Sequence, residues 1–130
     1  MLKLTRRAFA VFALALSLGA APALAKTGSI HLPSGASMAT VGGHVVRGKT
    51  QGWRVNGKQG RTFAVTLEST GNAAIMQIRE PGKDAGYLPG AGRQNEARSW
   101  SGKLPADGSY LIEVIAVQAE ADYTLRVEVK

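Results

Sequence analysis

The stretch from residue 100 to residue 130 constrains the fold more than any other part of the sequence. Its final segment places Tyr123, Leu125, Val127 and Val129 at alternate positions between polar residues, which is typical of a half-buried strand. Residues 110–117 form a nearly unbroken run of β-formers, which predicts a central strand covered on both faces. A short polar break separates the two segments, so we expect them to form a hairpin on which the core condenses.

Shorter segments of the same kind recur along the preceding chain. Strands are predicted over residues 39–47, 51–55, 61–69, 73–79 and 96–101. Asn56-Gly57 is a strong hairpin signal between the second and third of these. The Gly- and Pro-rich segment 81–92 predicts a loop that crosses between sheets. Because no segment of 26–130 shows helical periodicity, the sequence predicts an all-β protein, a single small antiparallel β-sandwich.

The N-terminus has the organisation of an export signal. Lys3, Arg6 and Arg7 precede an apolar stretch over residues 8–21, and Ala23-Leu24-Ala25 is a cleavage site of the A-x-A type. The adjacent arginines fit a twin-arginine signal and an ordinary secretory signal equally well. We therefore predict a signal peptide over 1–25, an extended lead-in over 26–37, a β-sandwich domain over 38–130, and a periplasmic protein.

Charge and composition limit the possible partners. The sequence has no cysteine, so it can form no disulfide or thiolate site. Removing the three basic residues of the signal peptide from 16 basic and 9 acidic residues leaves 13 − 9, a net charge of +4. These charges are scattered, which argues against a nucleic-acid partner. The apolar stretch is too short for a stable membrane anchor, and a homodimer is compatible with the sequence.

Motifs that would indicate an enzyme are absent or lack their structural context. Residues 43–50 match the spacing of a phosphate-binding loop, but β-formers occupy the loop and no helix can follow. His31 and His44 have no partner at metal-ligand spacing. The sequence therefore predicts a protein that is not an enzyme, with no metal and no cofactor.

Several segments together resemble a known family. They read GASMATV (35–41), GRTFAV (60–65), EPG (80–82), WSGKLPADGSY (100–110) and YTL (123–125). The chain resembles the small exported β-sandwich proteins related to the bacterial pre-peptidase C-terminal domain. Within that group it is most similar to the periplasmic inhibitors of g-type and i-type lysozymes.

The resemblance implies a function and a binding loop. Those inhibitors block the lysozyme cleft with a Ser-Gly-x-Tyr loop after a Leu-Pro turn, and the matching residues here are Asp107, Gly108, Ser109 and Tyr110. It implies a g-type or i-type lysozyme as partner. The alternative is a general envelope module that binds a glycan or another exported protein through residues 81–92, where Tyr87 is the candidate for a secondary contact.

Overall fold

The computed structural model describes residues 26–32, 37–82 and 84–130. The predicted signal peptide therefore lies outside the described residues. Eight strands make up most of this part of the chain. They are β1 (Lys26–Ile30), β2 (Ser37–Val45), β3 (Thr50–Gly57), β4 (Thr62–Ser69), β5 (Ala74–Arg79), β6 (Ser99–Lys103), β7 (Gly108–Ala116) and β8 (Ala121–Val129).

The strands form two four-stranded sheets that pack face to face. The first sheet has the order β1-β3-β7-β5, and the second has the order β2-β8-β4-β6. All pairings within the sheets are antiparallel except that of β1 with β3, which is parallel. The prediction of an all-β sandwich is confirmed.

Alternation of side chains builds the core between the sheets. In β8 the predicted residues Tyr123, Leu125, Val127 and Val129 are all buried, and exposed or half-buried residues separate them. β7 is a central strand, as predicted, but only one of its faces is fully buried. The buried face of β7 carries Tyr110, whose ring lies 6.1 Å from that of Phe63 in the other sheet.

Both predicted hairpins are wrong. β7 pairs with β3 and β5, whereas β8 pairs with β2 and β4, so the break at residues 117–120 carries the chain from one sheet to the other. The Asn56-Gly57 signal likewise ends β3 in the first sheet, and β4 begins in the second. Turn residues set a local reversal of the chain, but they do not select the neighbour with which the next strand pairs.

Other parts of the structure agree better with the predictions from the sequence. Residues 81–92 do lead from β5 in the first sheet toward β6 in the second, as predicted. The strand predicted over 96–101 begins later, at Ser99. Within the stretch predicted as a lead-in, residues 26–30 form β1 at the edge of the first sheet. No helix in the described ranges is long and apolar enough to cross a membrane.

Candidate functional site

The residues predicted to bind a partner lie where β6 connects to β7. The β6–β7 loop comprises residues 104–107, with Leu104 buried at its start and Asp107 exposed at its end. Gly108, Ser109 and Tyr110 are the first three residues of β7. The structure therefore brings the four predicted residues together at one end of the sandwich, one on the loop and three on the strand that supports it.

Tyr110 points into the core and anchors this loop. Its side chain is fully buried, and its hydroxyl donates to the carbonyl oxygen of Ala106 at 2.6 Å. The same hydroxyl accepts the backbone N–H of Ala106 at 3.2 Å. Burial raises the pKa of Tyr110 above 10.0, so the hydroxyl stays protonated and able to donate.

Glycines allow close packing beneath the loop. Gly108 has a φ of +144°, and a Cβ there would lie 2.6 Å from Cβ of Pro81. A Cβ on Gly57, the partner of Gly108 in β3, would overlap with Cδ1 of Leu104 and lie 3.0 Å from Cε1 of Tyr110. A Cβ at either position would force a neighbouring group to shift, so glycine lets the start of β7 pack closely against β3 and Pro81.

Asp107 is the exposed polar group of the site. Its Oδ1 accepts the backbone N–H of Gln59 at 2.7 Å, which ties the loop to the neighbouring connection between β3 and β4. Ser109 is half-buried and faces Asn56 across the β3–β7 pairing. A carboxylate has about four lone pairs, so one hydrogen bond to Gln59 leaves Asp107 able to accept from a partner.

Tyr87 packs partly against the first sheet. Its hydroxyl accepts a hydrogen bond from Nε2 of Gln77 at 3.2 Å, and the guanidinium carbon of Arg79 lies 4.8 Å from its ring centroid. Glu113 accepts from both Gln77 and Arg79 and completes the network. Part of Tyr87 is thus committed to internal contacts, and its side chain is half-buried overall.

Sequence reasoning missed a cluster at the opposite end of the sandwich. His44 in β2 lies opposite Asp122 in β8, with its Nδ1 2.8 Å from Oδ1 of Asp122 and its Nε2 3.1 Å from Oε1 of Glu120. The hydrogen bond to Asp122 raises the pKa of His44 above 6.5. His44 and Asp122 are 78 positions apart, so only strand pairing brings them together. No group of three or more His, Cys, Asp or Glu residues suited to a metal occurs in the described part of the chain.

Comparisons with solved structures first define the class of fold. A pre-peptidase C-terminal domain of a Bacillus anthracis collagenase matches with a TM-score of 0.50 and 13% identity, covering 79% of this chain and 95% of that one. No family model matches the chain, and no curated protein matches it. The chain is therefore a small β-sandwich similar to that domain, as its sequence suggested.

More specific similarity is to periplasmic inhibitors of g-type lysozyme. The Aeromonas hydrophila inhibitor PliG matches with a TM-score of 0.67 and 26% identity over 82% of this chain and 98% of that one. The Escherichia coli inhibitor, solved as a mutant, matches with a TM-score of 0.59 and 18% identity over 82% and 99%. The predicted resemblance to these inhibitors is confirmed.

Proposed function

We propose that this protein is an exported, non-enzymatic inhibitor of a lysozyme. The observation that carries the proposal is its similarity to the A. hydrophila inhibitor, which extends over 98% of that chain at 26% identity. A likeness of this extent spans nearly the whole of that chain rather than one shared motif. The A. hydrophila protein is described as a periplasmic inhibitor of g-type lysozyme, so we propose a periplasmic location and a g-type lysozyme as first partner, with an i-type lysozyme as alternative.

The proposed inhibitory element is the β6–β7 loop with the start of β7. Asp107 would contact the lysozyme cleft, where a charged carboxylate accepts stronger hydrogen bonds than a neutral hydroxyl. Tyr110 would act from below, by fixing the position of Ala106 and therefore the shape of the loop. Gly108 and Ser109, the first residues of β7, would complete the element beside the loop.

Rigidity of the loop supports this role. Hydrogen bonds from Gln59 to Asp107 and between Tyr110 and Ala106 already hold the loop in place. An inhibitor whose binding loop is ordered before association avoids the free-energy cost of ordering it on binding. Protein inhibitors of enzymes commonly bind in this way, with little backbone movement.

A cell-wall lysis assay tests the proposal. Purified protein is added to g-type, i-type and c-type lysozymes, and the clearing of a bacterial cell-wall suspension is followed. We expect inhibition of the g-type or i-type enzyme at micromolar concentration and none of the c-type enzyme. If no lysozyme is inhibited, the alternative of a general envelope module that binds a glycan or another exported protein through residues 81–92 replaces this proposal.

A further inference from the structure

A cavity lies at the end of the sandwich opposite the β6–β7 loop. It has a volume of about 510 Å³ and opens between β1 and β3 of the first sheet and β2 of the second. β3 lines the cavity from Gln51 to Trp53 and reaches the start of β7 at Gly57, four residues or about 13 Å of extended strand further on. The volume is within the range of small-ligand sites, about 300–1,000 Å³. The cavity is thus separate from the proposed lysozyme-binding end.

Trp53 and Gln51 form the inner wall of this cavity. Nε1 of Trp53 donates to the hydroxyl of Tyr123 at 2.8 Å, and that hydroxyl donates to Oε1 of Gln51. Nε2 of Gln51 in turn donates to the carbonyl oxygen of His44 at 2.6 Å. This chain of hydrogen bonds orients the half-buried Trp53 ring, which contributes apolar surface to the wall.

The floor consists largely of glycine backbone. A Cβ on Gly28 would lie 2.7 Å from Cζ3 of Trp53, and a Cβ on Gly43 would lie 2.8 Å from Oε1 of Gln51. β1 and β2 are edge strands, so alternate N–H and C=O groups of each have no neighbouring strand in the described sheets. The two glycines thus make room for the side chains of Trp53 and Gln51, and the free edges of β1 and β2 supply backbone donors and acceptors for a ligand.

The charge of the cavity favours a neutral ligand. Among its described lining side chains, His44 is the one ionisable group, and two carboxylates, those of Asp122 and Glu120, hold its ring nitrogens. Since these described side chains include no free cation, they offer no charged partner to a phosphate or carboxylate ligand. The remaining lining groups are the Trp53 indole, the Gln51 amide and backbone donors and acceptors.

We propose that this cavity binds a neutral saccharide. Sugar hydroxyls both donate and accept hydrogen bonds, which matches a wall of mixed backbone and amide groups. The apolar C–H face of a pyranose ring fits against an indole, which carries large apolar area with a polar end. The two ends of the sandwich would then bind a saccharide and a lysozyme independently, so failure of one proposal leaves the other standing.

Tryptophan fluorescence measures this binding directly. The sequence has two tryptophans, and Trp100 lies on β6, an edge strand of the second sheet away from the cavity. The fluorescence of a Trp100→Phe variant therefore comes from Trp53 alone. Calorimetry on the unmodified protein measures the same binding if that variant is unstable. The two probes are the N-acetylglucosamine tetramer and cellotetraose. The first carries acetamido groups and the second does not, so comparing them separates recognition of the acetamido group from recognition of the sugar ring.

Matched variants at the two tryptophans locate the site. Trp53 lines the cavity, whereas Trp100 is half-buried on β6 and lies outside it. By calorimetry we expect saturable binding of at least one probe, weakened about tenfold or more by Trp53→Phe and less than about twofold by Trp100→Phe. The proposal is overturned if neither probe binds at up to about 10 mM, or if the two substitutions weaken binding equally.

Discussion

The hydroxyl of Tyr110 satisfies both backbone polar groups of Ala106, donating to its oxygen and accepting from its nitrogen. One buried side chain thus fixes the peptide groups on both sides of a residue in the exposed β6–β7 loop. The loop shape is consequently set by the core rather than by contacts within the loop. The proposed binding element can therefore be tested with two kinds of substitution, one at groups that shape the loop and one at groups that would contact a partner.

Asp107→Ala tests the contact directly. We expect inhibition of the target lysozyme to weaken about thirtyfold, equivalent to about 2 kcal/mol for a central contact. The melting temperature should fall only slightly, since the hydrogen bond to Gln59 is exposed. Asp107→Asn is the matched control, because it keeps an acceptor for Gln59 and removes the charge. Unchanged inhibition by the alanine variant, in titrations against the enzyme, would show that the loop is no more than a turn.

Gly108→Ala tests the support beneath the loop. The substitution places a Cβ 2.6 Å from Pro81 in a backbone conformation with φ of +144°, which costs about 1–3 kcal/mol from the backbone alone. Gly60→Ala is the comparison, because Gly60 also has positive φ, +86°, but a Cβ added there would meet no atom within 4 Å. We expect chemical denaturation to show the larger loss for Gly108→Ala. Equal losses in the free energy of unfolding would mean that Pro81 shifts to accommodate the added Cβ at little cost.

Leu125→Ala tests the centre of the core. Leu125 is fully buried in β8, and emptying such a site typically costs about 2–5 kcal/mol in the free energy of unfolding. Thr124 is adjacent and exposed, so Thr124→Ala should cost well under half as much. Urea denaturation of both variants checks this. Comparable losses would contradict the assignment of the faces of β8.

His44 should make stability depend on pH. Its pKa is raised above 6.5, chiefly by the hydrogen bond to Asp122, so its stabilising contribution is full below about pH 6.5. The contribution is lost as pH rises through the folded-state pKa. The melting temperatures of wild type and His44→Asn should therefore converge as the pH is raised above neutrality. An NMR titration that places the pKa of His44 at or below 6.5 would contradict this, and added salt should reduce the effect because the side chain is 46% exposed.

The export route can be tested at Arg6 and Arg7. Replacing both with lysine should abolish export if the twin-arginine route is used, because that receptor recognises the arginine pair itself. Immunoblotting of periplasmic and cytoplasmic fractions measures the result. Unchanged periplasmic yield would leave the general secretory route.

The strands were predictable from the sequence because alternation is a local property. Phe63, Val65 and Leu67 indicate β4 without reference to the rest of the chain, and all three are buried. Sheet membership was not predictable, since β7 and β8 have equally apolar inner faces and either could have paired with the other. Which sheet each joins depends on partners far away in the sequence, such as β2 for β8.

The candidate sites at the two ends of the sandwich also differ in how well the sequence predicts them. The β6–β7 loop was found because its residues are contiguous and match a family pattern. The cavity was not, because Thr27, Gly43 and Trp53 come from three strands and each has an ordinary role in its own strand. The spacing of His44 and Asp122 in the sequence likewise does not predict their contact, although strand pairing places them side by side.

The position of β8 in its sheet sets the order in which this protein can fold. β8 lies between β2 and β4, and pairs Ser37 with Val129, residues 129 − 37 = 92 positions apart. Until residues 121–129 have emerged from the ribosome, β2 and β4 have no common neighbour and the second sheet cannot assemble. Pairings of such long range also form slowly. β2 and β4 therefore gain their shared neighbour only when β8 has been made, so completion of the second sheet is a late step in folding.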